Sequence, residues 1–103
     1  MLKIKPNPTF QAPVEIPTPE GPVKIKVEFK HRNREEFHAF TQDMVLQKRT
    51  DIDFLMEIMA GWTGVEGEFN REAVTEICNE YHQAADAIAQ VYIDTQTQAR
   101  RKN

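Results

Sequence analysis

The stretch Val23-Lys24-Ile25-Lys26-Val27-Glu28-Phe29-Lys30, followed within a few residues by Asn33-Arg34-Glu35-Glu36, sets the character of the chain. In the first segment apolar and charged residues alternate with a period of two, so a strand here has one face for a core and one for water. In the second, Asn33 stands three residues before Glu36, the spacing at which each side chain can bond the other's backbone N–H at a helix start. A strand hands over to a helix at this point, which makes the chain an α+β protein.

Upstream, Pro17-Thr18-Pro19-Glu20-Gly21-Pro22 is dense in residues that favour turns and interrupt ladders, and Val14-Glu15-Ile16 before it is a second short strand. Residues 13–30 therefore read as a two-stranded β-hairpin. A hairpin alone is marginal in water, so its apolar face must pack on the helices or on another subunit. Residues 1–12, with Lys3, Lys5, Pro6 and Pro8 around isolated apolar positions, read as an extended arm.

Downstream, residues 33–103 read as a small three-helix bundle. Phe37, Phe40, Met44 and Val45 recur at three- and four-residue steps on the first helix. A second start is expected at Thr50-Asp51-Ile52-Asp53, where carboxylates favour the positive end of the helix dipole. Ile52, Leu55, Met56, Met59 and Trp62 would form its buried side, and Gly61, Gly64 and Gly67 would end it and shape a turn. Asn70 then caps a long C-terminal helix carrying Val74, Ile77, Cys78, Tyr81, Ala84, Ala85, Ile88, Val91 and Tyr92. Unbroken over about 28 residues, that helix would run roughly 42 Å. The three-four rhythm leaves room for a break near Tyr81 to Ala84, but no Gly or Pro in the run compels one.

At 103 residues the chain is expected to form a single domain, 1–103, with a modest core. It is 40% hydrophobic and 28% charged with six Phe, a composition that folds rather than stays disordered. The net charge of -3 opposes binding to a phosphate backbone as a whole. The one cysteine, Cys78, excludes an internal disulfide, and no run approaches the roughly 18 apolar residues of a membrane span. A cytosolic protein with no membrane attachment is expected.

Catalytic constellations are sparse. The absence of serine excludes serine nucleophiles. His31, His38 and His82 are scattered, and Glu35-x-x-His38 is a single helix-face pair where bundle metal sites use two such pairs with further Glu. Cys78 sits on an apolar stripe between Ile77 and Tyr81, where a buried, unreactive thiol is expected. The carboxylates Asp51, Asp53, Glu57, Glu66, Glu68 and Glu72 could supply a general acid and base, but acidic residues near helix N-termini are expected from capping and dipole effects, and no oxyanion donor loop or phosphate-binding Gly pattern accompanies them. No enzyme activity, metal or other cofactor is expected. Two basic clusters, Lys24-Lys26-Lys30-Arg32-Arg34 and Arg100-Arg101-Lys102, lack the interleaved aromatics of a base-stacking platform.

One further pattern runs through the middle of the chain. Trp62-Thr63-Gly64-Val65, then Phe69, then Glu72 in the first turn of the next helix, with Tyr92 late in the chain, resembles the phage tail assembly chaperones. The stretch from Val14 to Glu36 is similar to that family's two short strands, its Val-x-Phe-Lys ending and its Arg-x-Glu helix start. The resemblance implies a non-catalytic helper that binds the tape measure protein and keeps it soluble until tail tube subunits polymerise around it. It further implies action in the cytoplasm of the bacterial host, absence from the mature virion, the tail tube protein as a second candidate partner, and self-association into a homo-oligomer. Partner-binding candidates are Trp62 and Val65, which would hold the turn, and the aromatic anchors Phe37, Phe40, Tyr81 and Tyr92, several of which would be core. The alternative is a small nucleic-acid-binding or regulatory module using the strand patch and the basic C-terminus.

Overall fold

The alternating stretch forms the middle strand of a three-stranded antiparallel sheet in the computed structural model, which describes residues 2–47 and 51–97. The expected helix start at Thr50 and the basic cluster Arg100-Arg101-Lys102 lie outside the described residues, as do the side chains of Met44 and Val45. In chain order the elements are β1 (Thr9–Ile16), β2 (Val23–Lys30), α1 (Arg34–Gln47), α2 (Asp51–Ile58), β3 (Met59–Thr63), α3 (Arg71–Glu80) and α4 (Ala84–Thr97). The architecture is α+β, with the strands in the order β1-β2-β3.

β1 and β2 pair with Phe10 opposite Phe29, Ala12 opposite Val27 and Val14 opposite Ile25. Those residues share one face, which the helices cover; Gln11, Glu15, Lys24, Lys26 and Lys30 are exposed on the other. Pro13 is tolerated inside β1 because β1 is an edge strand. The strand begins at Thr9, earlier than expected, so the arm comprises residues 2–8 rather than 1–12. Phe10 belongs to the packed face, with its ring 5.5 Å from that of Phe29 and 6.2 Å from that of Tyr92.

The third strand corrects the expected two-stranded hairpin. The second helix stops at Ile58 and the chain turns directly into β3, placing Trp62 opposite Val27 and Thr63 opposite Lys26. Trp62 is therefore a strand residue and does not end a helix. Continuing the helix would place Gly61 in its interior, whereas strand pairing uses the backbone groups that β2 leaves free on that side. A register shift between Glu28 and Phe29 lets Met59, 1% exposed, pair with Phe29.

The long C-terminal helix is also corrected: it is two helices, so the described residues hold four helices rather than the three expected. Tyr81 adopts extended dihedrals (φ -118, ψ 102) while its N–H still reaches the Ile77 carbonyl. The Tyr81 carbonyl then accepts from Ala84 N at 2.9 Å as the chain restarts. A straight helix of roughly 42 Å would be as long as the whole molecule, whose greatest extent is 41 Å. Breaking it lets α3 bury Val74 and α4 bury Ala84, Ile88 and Tyr92 in the same core.

Both anticipated caps are formed. Asn33 N donates to Glu36 Oε1 at 2.9 Å and Glu36 N to Asn33 Oδ1 at 2.8 Å, a reciprocal capping box on α1. Asn70 Oδ1 accepts from Ala73 N at 2.8 Å at the start of α3.

Candidate partner-binding groove

The corner between β3 and α3 is held by its own side chains. Gly64 has φ +91, a left-handed conformation that glycine adopts at low steric cost. The Trp62 indole Nε1–H donates to the Gly67 carbonyl at 3.2 Å, and the Trp62 and Phe69 rings meet edge to face with centroids 5.3 Å apart. With Asn70 capping α3 directly after Phe69, the corner fixes where α3 lies relative to the turn end of the hairpin.

Between them runs a groove of about 420 Å³. One wall comes from the hairpin end, through Ile16, Val23 and Ile25; the other comes from α3, through Ile77 and Tyr81; Trp62 and Val65 lie between. Three exposed carboxylates, Glu66, Glu76 and Glu80, belong to the same lining, which contains no Lys, Arg, His or Cys. Glu76 and Glu80 are four residues apart and so share a helix face. The result is a largely apolar cleft edged by carboxylates, suited to an apolar segment carrying positive charge.

The six candidate side chains divide into two groups. Trp62, Val65 and Tyr81 come together in the groove, and Tyr81 is 37% exposed. Phe37, Phe40 and Tyr92 gather elsewhere, around Arg32. The Arg32 guanidinium lies 3.9 Å above the Phe40 ring, and Phe40 stacks on Phe54 at 5.5 Å. Phe37 is half-buried beside Tyr92, with centroids 6.1 Å apart. Tyr92 is 0% exposed: its hydroxyl donates to the Lys30 carbonyl at 2.9 Å and accepts from Arg32 Nη1 at 3.1 Å. Burial pushes the Tyr92 pKa up from 10.0, while its hydrogen bond to Arg32 and the Arg32 charge pull it down.

Ile77, Glu76, Glu80 and the hairpin-end residues were not singled out in the sequence as site residues. The Glu76/Glu80 pair flanking Ile77 was a signal, but helix faces commonly carry such pairs. Arg32, expected in the strand patch, turns inward, donating to the Glu57 carbonyl at 3.1 Å and lying 3.6 Å from its carboxylate. Lys24 on the open face stands opposite Glu15, which further dilutes the basic patch. Among the described residues, no group of three or more His, Cys, Asp or Glu is placed to hold a metal ion. No described helix is long and apolar enough to cross a membrane.

A family model described as phage tail assembly chaperone matches residues 1–103. The chain belongs to that family. No curated protein and no solved structure matches it.

Proposed function

We propose that the chain acts as a single-domain, non-catalytic chaperone that binds the tape measure protein of a long-tailed phage and keeps it soluble until tail tube subunits polymerise around it. Family membership supports the tail assembly role. The observation that carries the client contact is the groove, where Trp62, Val65 and Tyr81 converge above an apolar wall edged by Glu66, Glu76 and Glu80.

A tape measure protein is long and helix-rich, so before assembly it exposes apolar stripes that would otherwise aggregate. A cleft of this size takes the apolar side chains of one turn of such a helix, and the carboxylates select a segment carrying Lys or Arg. Phe37, Phe40 and Tyr92 serve by holding the scaffold. The work is done in the cytoplasm of the bacterial host, and the protein leaves before the virion is complete. The tail tube protein is the second partner, met when polymerisation displaces the chaperone.

Co-expression with the tape measure protein tests the role. Soluble yield of the client should rise and the two should co-purify; equal yield without this chain, and no complex, would refute it.

A further inference from the structure

The most exposed apolar side chains of the described residues belong to the N-terminal arm. Leu2 is 95% and Ile4 99% exposed. They alternate with Lys3 and Lys5, so in extended form the arm presents two aliphatic side chains and two cations within four residues. Its root is fixed: His31 N donates to the Pro8 carbonyl at 2.9 Å, and Lys3 Nζ donates to Asn7 Oδ1 at 2.7 Å.

An apolar-basic segment and an apolar groove lined with carboxylates are complementary in both properties, and this molecule carries the two at opposite ends. The arm leaves β1 at Thr9, whereas the groove opens beside Ile16. Eight strand residues separate them by about 23 Å. The seven residues from Leu2 to Pro8 reach at most about 25 Å. To fill its own groove, the arm would have to reverse at Thr9 and run back along the full strand, with Pro6 and Pro8 restricting the backbone on the way.

We propose that the groove receives residues 2–5 of a second copy of this chain. Leu2 and Ile4 seat against Ile77, Trp62 and the hairpin end, and Lys3 and Lys5 face Glu66, Glu76 and Glu80. Arm and groove at opposite ends join copies as an antiparallel pair or a closed ring. This deepens the proposed client role, on whose groove it rests: the arm masks the apolar cleft until the client, with the same apolar and basic chemistry, displaces it.

The test is the mass of the full chain by light scattering across a wide concentration range at low ionic strength. The wild type should rise above 11.9 kDa with concentration. Leu2→Asp with Ile4→Asp, or Glu76→Lys with Glu80→Lys, should each weaken association by about tenfold or more. All four substituted side chains are exposed, so the fold should survive, as circular dichroism will show. Combining Lys3→Glu and Lys5→Glu with Glu76→Lys and Glu80→Lys should restore association, which mere loss of folding cannot do. A wild type that stays at 11.9 kDa throughout, or association indifferent to the arm and groove substitutions, would overturn the proposal. Client binding is read separately: the Leu2→Asp/Ile4→Asp chain should bind the tape measure protein at least as tightly as the wild type. Arm-dependent association without any client binding would contradict the client role and leave arm docking standing.

Discussion

Arg32 donates to the Tyr92 hydroxyl at 3.1 Å, and through that bond the end of β2 is tied to α4. The same guanidinium reaches the Glu57 carbonyl at the end of α2 and lies over Phe40 of α1, so one side chain touches three helices. Gln96 adds a second tie, donating to the Arg32 carbonyl at 2.7 Å. Tyr92→Phe removes a buried hydroxyl that both donates and accepts, and should destabilise by about 1–2 kcal/mol. Arg32→Lys keeps the charge but loses the planar fork, and should cost about 2–3 kcal/mol in urea unfolding. The Glu57 ion pair contributes little to this, because that carboxylate is 46% exposed.

The raised pKa of Tyr92 gives stability a defined dependence on pH. The unfolded tyrosine ionises near 10, and burial makes the folded one hold its proton to higher pH. Above that point the unfolded state binds fewer protons than the native state, so stability falls as pH rises. The contribution is complete below pH 10 and is lost as pH climbs through the folded value. The chain has two tyrosines; in a Tyr81→Phe background, an absorbance titration should show a single phenol with its midpoint above 10. Tyr92→Phe should remove this component of the alkaline slope.

The legible parts of the fold are those that local chemistry specifies. The alternation in Val23 to Phe29, the reciprocal cap of Asn33 and Glu36, and the Asn70 cap depend on neighbouring residues alone. β3 was hidden because Met59-Ala60-Gly61-Trp62-Thr63 does not alternate and the helical stripe of Ile52, Leu55, Met56 runs straight into it. Its strand identity comes from pairing with β2, which lies about thirty residues away in sequence. The break at Tyr81 is compelled by packing both halves on one sheet, and no local residue specifies it. Of the groove, Trp62, Val65 and Tyr81 were legible as candidates. Their meeting with Ile16, Val23 and Ile25 depends on the corner angle, which no spacing encodes. Arg32 gave no signal, because an inward arginine and a surface arginine look alike in sequence.

The corner glycines should respond unequally to substitution. Gly64→Ala places a side chain at φ +91, and should cost about 1–3 kcal/mol even though the new Cβ finds Ile25 Cα at an ordinary 3.6 Å. Gly61 has no such backbone demand, and its new Cβ would meet only the Glu28 carboxylate at 3.5 Å. Gly61→Ala should therefore be nearly neutral. Thermal melts of the two variants check the contrast.

Loss of the α1 cap should be measurable and local. Asn33→Ala removes the acceptor for Glu36 N, and should lower stability by about 1 kcal/mol. Amide exchange should speed up first at residues 34–37, with the sheet amides less affected.

The groove beside Trp62 is the proposed contact with the tape measure protein. Its most direct test is titration calorimetry of the purified chain against a soluble helical segment of that protein, comparing wild type with Tyr81→Asp. Tyr81 is 37% exposed and lines the groove, so the substitution should leave the unfolding curve close to wild type and weaken binding by about tenfold or more. Unchanged affinity in Tyr81→Asp, or no binding by the wild type to any segment of the tape measure protein, would contradict it.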